Sequence, residues 1–136
     1  MEYIEYKIVA IEAARAAGDV ILAAWNKPRN ISNKGAVDLV TKTDEECEAC
    51  VMKLFHERFP EHKFIGEEGS AEQGFTSELT DDPTWIVDPL DGTTNFVHRY
   101  PFVCTCIGLA INKKVRGIRL WINRVRMSLH RFLTYL

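Results

Sequence analysis

The fold of this chain is decided by residues 85–96, which read W-I-V-D-P-L-D-G-T-T-N-F. Residues 84–87 are apolar or β-branched throughout, which predicts a short strand buried in the centre of a sheet. Pro89 has no backbone N–H and prevents a regular strand from continuing, so the chain must turn sharply there. We expect this turn to bring the carboxylates of Asp88 and Asp91 toward one point.

The residues around this turn have the chemistry of a magnesium and phosphate site. Carboxylate oxygens at a strand end suit Mg²⁺, and the backbone carbonyl of Leu90 lies between the two aspartates. Gly92 and Thr93 follow, where backbone amides can approach an anion closely. Glu67 and Glu68 come after an apolar stretch of their own and would add carboxylates if the two strands are neighbours.

Each of these pieces also has a purely structural interpretation. A D-x-x-D pair on a loop commonly belongs to a solvated turn. A Glu-Glu pair between glycines commonly lies on the protein surface. Asp44 follows Thr43 near a predicted helix start, where helix-dipole complementarity alone explains an acid. The hydroxyls of Thr93 and Thr94 can be ordinary turn hydroxyls. It is the combination of these pieces that indicates a functional site.

The rest of the chain alternates between helix and strand patterns. Apolar residues at steps of three and four predict a helix over residues 3–26. Residues 36–43 are β-prone, and Thr43 and Glu46 have the T-x-x-E spacing of a capping box that would start a second helix, ending at residues 59–60. Strands are predicted at 62–66 and 103–111, with a hairpin turn at 112–114. Helices separated by strands indicate α/β or α+β layers.

Composition narrows the classes of function. The net charge of −2 is unevenly distributed along the chain. All 19 acidic residues lie in the first 110 residues, which carry a net charge of −9, and residues 111–136 carry a net charge of +7. An acidic main part repels nucleic-acid phosphates, so a nucleic-acid partner is not expected. The sequence lacks an apolar run of about 20 residues, so we expect no membrane span. Its first residues lack the basic and then apolar pattern of a signal peptide, so we do not expect secretion.

The four cysteines lie at positions 47, 50, 104 and 106. The first pair has C-x-x-C spacing within a helical segment, and the second pair alternates along a predicted strand. No second C-x-x-C and no H-x-H is present to complete a tetrahedral zinc site. We therefore expect reduced core thiols rather than a zinc site or disulfides.

Four blocks of sequence together resemble the inositol monophosphatase family. They are D-L-V-T-K-T-D at 38–44, G-E-E-G at 66–69, the 85–96 stretch, and F-V-H-R-Y-P-F at 96–102. The resemblance covers about residues 4–114. It implies a Mg²⁺-dependent, lithium-sensitive phosphatase that hydrolyses myo-inositol monophosphate, a small molecule, in inositol metabolism and phosphatidylinositol signalling. It further implies the N-terminal part of a layered α-β-α-β-α sandwich, a homodimer, and a cytoplasmic location.

The resemblance also implies the metal ligands. Glu67, Asp88 and the carbonyl of Leu90 would hold a first Mg²⁺, and Asp88 and Asp91 would hold a second.

The same resemblance implies the catalytic residues. Asp44 and Thr93 would orient and deprotonate the attacking water, and Glu67 would act with them through its metal. The amides of Gly92 and Thr93 would bind the phosphate, and Glu68 would have a supporting role.

Residues 115–136 depart from the family pattern and form a separate basic segment in this interpretation. The family's downstream W-D-x-A-A-G-like block, which completes the second metal site, has no counterpart in these residues. We therefore expect a truncated chain whose tail comes from an altered reading frame, splice or gene model. An alternative is a basic amphipathic helix at 115–136. The alternative function is a non-catalytic isoform that partners a full-length subunit.

Overall fold

The computed structural model describes residues 2–27, 33–67, 76, 78–116, 119–123 and 129–133. No helix within these ranges is long and apolar enough to cross a membrane. The elements in chain order are α1 (Glu2–Trp25), α2 (Asn33–Arg58), β1 (Lys63–Gly66), β2 (Thr84–Asp91), α3 (Thr93–Val97), β3 (Cys104–Ile111), β4 (Lys114–Val115), β5 (Arg119–Asn123) and β6 (Leu129–Leu133). This is an α/β arrangement, and it confirms the predicted first helix and the predicted strands at 62–66, 84–87 and 103–111.

The strands form one sheet in the order β1-β2-β3-β5-β6, with β4 also paired to β3. β1 and β2 run parallel, and the other neighbours run antiparallel. β2 therefore lies inside the sheet, as its apolar sequence predicts. The hairpin turn predicted after β3 is confirmed, since Asn112 and Lys113 both have positive φ, as type I′ turns require.

The two long helices pack against each other through small side chains on α1. Cys47 of α2 donates its thiol to the backbone carbonyl of Ala17 at 3.5 Å. A contact this short between side chain and backbone is permitted because the facing side chains are methyl groups. The fully buried alanines of this face are Ala10, Ala13, Ala14 and Ala17.

Helix α2 is joined to the sheet by aromatic stacking on Trp85. Phe55 stacks on the Trp85 ring with centroids 4.1 Å apart and an interplanar angle of 9°. The indole Nε1 donates a hydrogen bond to Nδ1 of His62 at 3.0 Å, which satisfies its polar atom. Trp85 also lies opposite the buried Leu109 of β3. The core of the molecule therefore lies between the helices and one face of β2 and β3.

The prediction of a strand over residues 36–43 is wrong, because these residues belong to α2. Thr43 does not cap a helix start, and its hydroxyl donates to the carbonyl of Leu39 at 2.6 Å, four residues earlier. Val40, Thr43 and Cys47 are all buried, with the helical spacing of three and four. Burial of this face against the rest of the core outweighs the β-propensity of its valines and threonines.

The alternative of a helix over 115–136 is also wrong. The segment contains β4, begun at Lys114, together with β5 and β6. Strand β5 pairs with Thr105 to Ile107 of β3, and β6 pairs with β5. An unpaired edge on β3 would leave backbone donors and acceptors without partners, and this pairing satisfies them. The separate origin of the segment stays a prediction.

A β-bulge at Pro89 interrupts the pairing of β2 with β3. Asp88 pairs with Cys106 and Asp91 with Cys104, so three residue steps on β2 match two on β3. The extra residue allows Pro89, which lacks an N–H, to remain within the strand. The carbonyl of Pro89 accepts a buried hydrogen bond of 2.8 Å from the Thr105 hydroxyl. The prediction that the chain turns sharply at Pro89 is therefore wrong, because β2 continues from Thr84 to Asp91.

Gly92 joins this bulged strand to α3. Its φ is +88°, and a Cβ atom there would lie 2.7 Å from the carbonyl oxygen of Phe102. The same carbonyl accepts a hydrogen bond of 2.9 Å from the Asn95 side chain. Only glycine meets both the conformational and the steric requirement at this position.

We expect Thr105→Val to destabilise the fold by about 1–2 kcal/mol, because it leaves the buried Pro89 carbonyl without its donor. Urea unfolding measures this change. Thr105→Ser keeps the hydroxyl and is the matched control, and we expect it to retain more stability than Thr105→Val. Equal stability of wild type and Thr105→Val would contradict a bulge held by this bond.

We expect Gly92→Ala to destabilise the fold by more than about 1 kcal/mol, because it adds steric overlap to an unfavourable left-handed backbone. Thermal unfolding is the measurement, and Thr94→Ala, at an exposed position of α3, is the control. The control should change the free energy of unfolding by no more than about 0.5 kcal/mol. A Gly92→Ala chain as stable as the control would show that the Phe102 carbonyl can move aside.

Candidate functional site

The acidic residues of the site meet where β1 and β2 end. These strands are parallel, and Gly66 pairs with Val87, so Glu67 and Asp88 each follow a paired residue at the same edge. From the sequence, Glu67 contributes a carboxylate to the site only if the two strands are neighbours. The structure confirms that condition.

Asp88 is the electrostatic centre of this edge. Burial, then the charges of Glu67 and Asp91, raise the pKa of its carboxyl from 3.8 to about 6, against a backbone hydrogen bond at Leu90 that lowers it. Its Oδ1 atom is buried and has no hydrogen-bond partner among the described residues. A buried carboxylate oxygen without a donor, next to two further acids, is a position that favours a cation.

The bulge explains why Asp88 and Asp91 act together. Residues three apart in a regular strand point to opposite faces of the sheet. One extra residue between them restores a common face, and the contribution of Asp91 to the pKa of Asp88 agrees with this arrangement. Asp91 itself is exposed, so its carboxylate is open to solvent.

A cleft of about 350 Å³ lies between this edge and helix α2. Asp44 enters it from the middle of α2, and Glu67 and Thr93 enter it from the sheet side. Asp44 is 7% exposed, and its Oδ1 atom is buried. Three of the residues predicted to act in catalysis therefore share one cleft, although they come from three parts of the chain.

The short helix α3 gives the cleft its hydroxyl group. Thr93, its first residue, is exposed and lines the cleft. The helix is held in place by the buried Phe96, whose ring packs edge-on against Trp25 at 5.6 Å, and by the hydrogen bond from the Phe96 N–H to the Gly92 carbonyl at 2.9 Å. This anchoring holds the backbone of Gly92 and Thr93 at the cleft edge.

Three further residues line the cleft that sequence reasoning did not identify. They are Val40, Thr41 and Glu45, all on α2. Val40 and Thr41 lie four and three residues before Asp44, which puts them on the same side of the helix. That spacing would have indicated these two residues if residues 36–43 had been predicted as helix.

Two predicted site residues stay without a structural outcome. Glu68 lies outside the described residues. The side chain of Leu90 is 1% exposed and belongs to the core, and the role of its carbonyl as a metal ligand stays a prediction. The described acids and hydroxyl nevertheless form a polar cleft suited to a divalent cation and an anionic ligand.

Comparison with known proteins gives the same picture. Residues 3–117 match the sequence model of the inositol monophosphatase family. The chain is 57% identical over 110 residues to Inositol monophosphatase 2 of Solanum lycopersicum, covering 81% of this chain and 42% of that protein. It is 51% identical over 107 residues to Inositol monophosphatase 1 of Homo sapiens, covering 78% and 38% respectively. The chain thus spans about two-fifths of the length of these relatives.

Solved structures agree with the sequence match. The inositol monophosphatase of Anabaena (Nostoc) sp. PCC 7120 superposes with a TM-score of 0.72 at 31% identity, over 90% of this chain and 41% of that one. Inositol monophosphatase II of Staphylococcus aureus MSSA476 gives a TM-score of 0.71 at 30% identity, over 85% and 41%. Since the family match takes in most of the chain and the fold follows it, this chain belongs to the inositol monophosphatase family.

Proposed function

We propose that this chain provides the N-terminal part of the active site of a Mg²⁺-dependent phosphatase that hydrolyses myo-inositol monophosphate to myo-inositol and phosphate. The observation that carries the proposal is the convergence of Glu67, Asp88 and Asp91 beside a cleft that Asp44 and Thr93 also reach. Acids and a hydroxyl that are distant in sequence have no structural reason to meet at one polar edge.

The residues present fit a magnesium ion. Mg²⁺ requires oxygen ligands, and the buried Oδ1 of Asp88 is an oxygen without a partner among the described residues. Glu67, Asp88 and the carbonyl of Leu90 would hold one ion, and Asp88 and Asp91 would hold a second. When bound, Mg²⁺ would supply Lewis-acid activation of water and neutralisation of the leaving oxygen.

Asp44 and Thr93 would supply the proton chemistry. Asp44 is largely withdrawn from solvent but faces the cleft, and Thr93 offers a hydroxyl in the same cleft. A hydroxyl can donate to the carboxylate and accept from a water at the same time. We infer that this pair orients the attacking water and accepts its proton, which belongs to general base catalysis.

The backbone at Gly92 and Thr93 would bind the phosphate. Thr93 lines the cleft, and the first N–H groups of a helix have no intrahelical partner, so they are free to bind an anion. Five acidic residues around the site would repel an anionic substrate in the absence of cations. Metal ions and phosphate are therefore expected to bind together, with a small polyol as the remaining group.

Several finer properties rest on the family resemblance. Lithium sensitivity, a homodimer, a cytoplasmic location and a role in phosphatidylinositol signalling are the properties that the resemblance implies, and each stays a prediction. The alternative of a non-catalytic isoform that partners a full-length subunit makes a different prediction, because such a chain would fold without turning over substrate. An activity measurement separates the two.

We expect phosphate release from myo-inositol 1-phosphate to require Mg²⁺ and to fall by more than about 100-fold in Asp88→Asn, which removes a shared ligand. Asp44→Asn should lower the rate by about 100-fold or more, in the range of a lost general base. Glu57→Gln, an exposed acid near the end of α2, is the matched control and should keep the wild-type rate.

Turnover that survives in both variants would contradict the proposed roles. A folded, monodisperse wild type without turnover would instead favour the non-catalytic alternative. Circular dichroism of every sample separates loss of activity from loss of fold.

We expect the metal-free chain to lose stability as the pH rises from about 4 to about 6. The pKa of Asp88 is raised from 3.8 to about 6 on folding, so the folded state binds more protons than the unfolded state in this window. The penalty for its charge is complete above the window. Above pH 6, Asp88→Asn should therefore be more stable than wild type by about 1 kcal/mol, since solvent screens part of the repulsion.

Urea unfolding of both chains in a chelator, between pH 4 and pH 7, measures this difference. The advantage of Asp88→Asn should disappear near pH 4, where the native carboxyl is protonated, and Mg²⁺ should reduce it at pH 7 by stabilising wild type. An advantage that is independent of pH would show that Asp88 is not repelled by its neighbours.

A further inference from the structure

Soft and hard metal ligands lie together beside Asp88, which is the register partner of Cys106. The ligand atoms of Asp91, Cys104 and Cys106 all lie within 4.8 Å of one another. Cys104 donates its thiol to Oδ2 of Asp91 at 3.6 Å. Two sulfur atoms and one carboxylate oxygen therefore already converge.

The sheet geometry holds these three atoms together. Cys104 and Cys106 are two apart on β3 and share one face of the sheet. The bulge makes Asp91 the register partner of Cys104. Asp91 is exposed and Cys106 is half-buried, so a cation from solvent can reach the group.

One of the three separations between ligand atoms matches tetrahedral coordination of zinc. With a Zn–S bond of about 2.3 Å and a Zn–O bond of about 2.1 Å, a tetrahedral angle separates sulfur from oxygen by about 3.6 Å. The separation between Cys104 Sγ and Asp91 Oδ2 is 3.6 Å. Magnesium, by contrast, is a poor match for sulfur ligands.

We propose that Cys104, Cys106 and Asp91 form a second cation site, which takes a thiophilic divalent ion of the zinc class with water as the fourth ligand. Binding releases the two thiol protons to the buffer and transfers no electrons. The two thiolates and the carboxylate then carry three negative charges against the two positive charges of the ion.

The site shares one residue with the proposed magnesium ligands. When one carboxylate oxygen of Asp91 binds an ion beside the two sulfurs, only the other oxygen is left for Mg²⁺ beside Asp88. A thiophilic ion therefore competes with Mg²⁺ for Asp91, and this consequence alone rests on the proposed function.

The sequence predicts no zinc site, since no second cysteine or histidine motif completes the pair at 104 and 106. The third ligand comes from a neighbouring strand through a bulged register, which spacing along one strand cannot show. Cys47 and Cys50 take no part in this site and lie on α2.

The test is titration of the metal-free, reduced chain with Cd²⁺ and with Zn²⁺. Cd²⁺ reports thiolate ligation by ultraviolet charge-transfer absorption, and calorimetry gives the stoichiometry and affinity for Zn²⁺. We expect one ion per chain and an absorption typical of two thiolates. Neither readout depends on catalytic activity, so the result is independent of whether the chain is an enzyme.

Cys106→Ser and Cys104→Ser should each weaken Zn²⁺ binding by at least 10-fold and reduce the Cd²⁺ band. Asp91→Asn should weaken binding while leaving the band present. Cys50→Ser, a half-buried thiol on α2, is the matched control and should bind as wild type does. If Cys104→Ser fails to fold, the half-buried Cys106 variant and the wild-type spectrum carry the test.

The site is refuted if wild type shows no charge-transfer band at stoichiometric Cd²⁺, or if Cys106→Ser binds Zn²⁺ as wild type does. A loss equal in Cys50→Ser and Cys106→Ser would also refute it. Excess Mg²⁺ should weaken Zn²⁺ binding in wild type, and Zn²⁺ binding that is indifferent to Mg²⁺ would refute the competition for Asp91.

Discussion

The bulge at Pro89 is the constraint on which the rest of the site depends. A proline in an interior strand removes a ladder donor, so the strand must admit an irregularity there. The bulge provides it, and the Thr105 hydroxyl of the adjacent strand donates a hydrogen bond of 2.8 Å to the buried Pro89 carbonyl. Without the extra residue, Asp88 and Asp91 would point to opposite faces of the sheet. The same local geometry thus preserves the strand and creates a two-carboxylate site.

The site also requires long-range order, because its acids come from separate elements. Parallel pairing of β1 with β2 brings Glu67 next to Asp88, and packing of α2 on the sheet brings Asp44 to the other side of the cleft. The stack of Phe55 on Trp85 connects that helix to the strand that carries both aspartates. Repulsion among the acids opposes this arrangement in the metal-free state. The aromatic core therefore has to hold the charges together until cations neutralise them.

Much of this could be predicted from the sequence, and the failures have physical causes. Pro89 between two aspartates predicts an irregularity that brings both carboxylates together, but the sharp turn expected there is a bulge within a continuing strand. Residues 36–43 were predicted as a strand because valine and threonine favour strands, whereas burial on α2 decides their structure. The contact of Asp91 with Cys104 depends on the register of β2 against β3. Register across a bulge is a property of two segments together, so local patterns do not contain it.

The bulge also places Asp91 between two chemical environments. On one side lie carboxylate oxygens, which favour a hard cation, and on the other lie the thiols of Cys104 and Cys106. A thiol that donates to Oδ2 occupies an acceptor position that a cation would otherwise use. The residues at 104 and 106 therefore affect how much of Asp91 is available to magnesium, although neither belongs to the predicted ligand set. Strand β3 thus influences the metal preference of the neighbouring acidic residues, because its thiols occupy acceptor positions on Asp91.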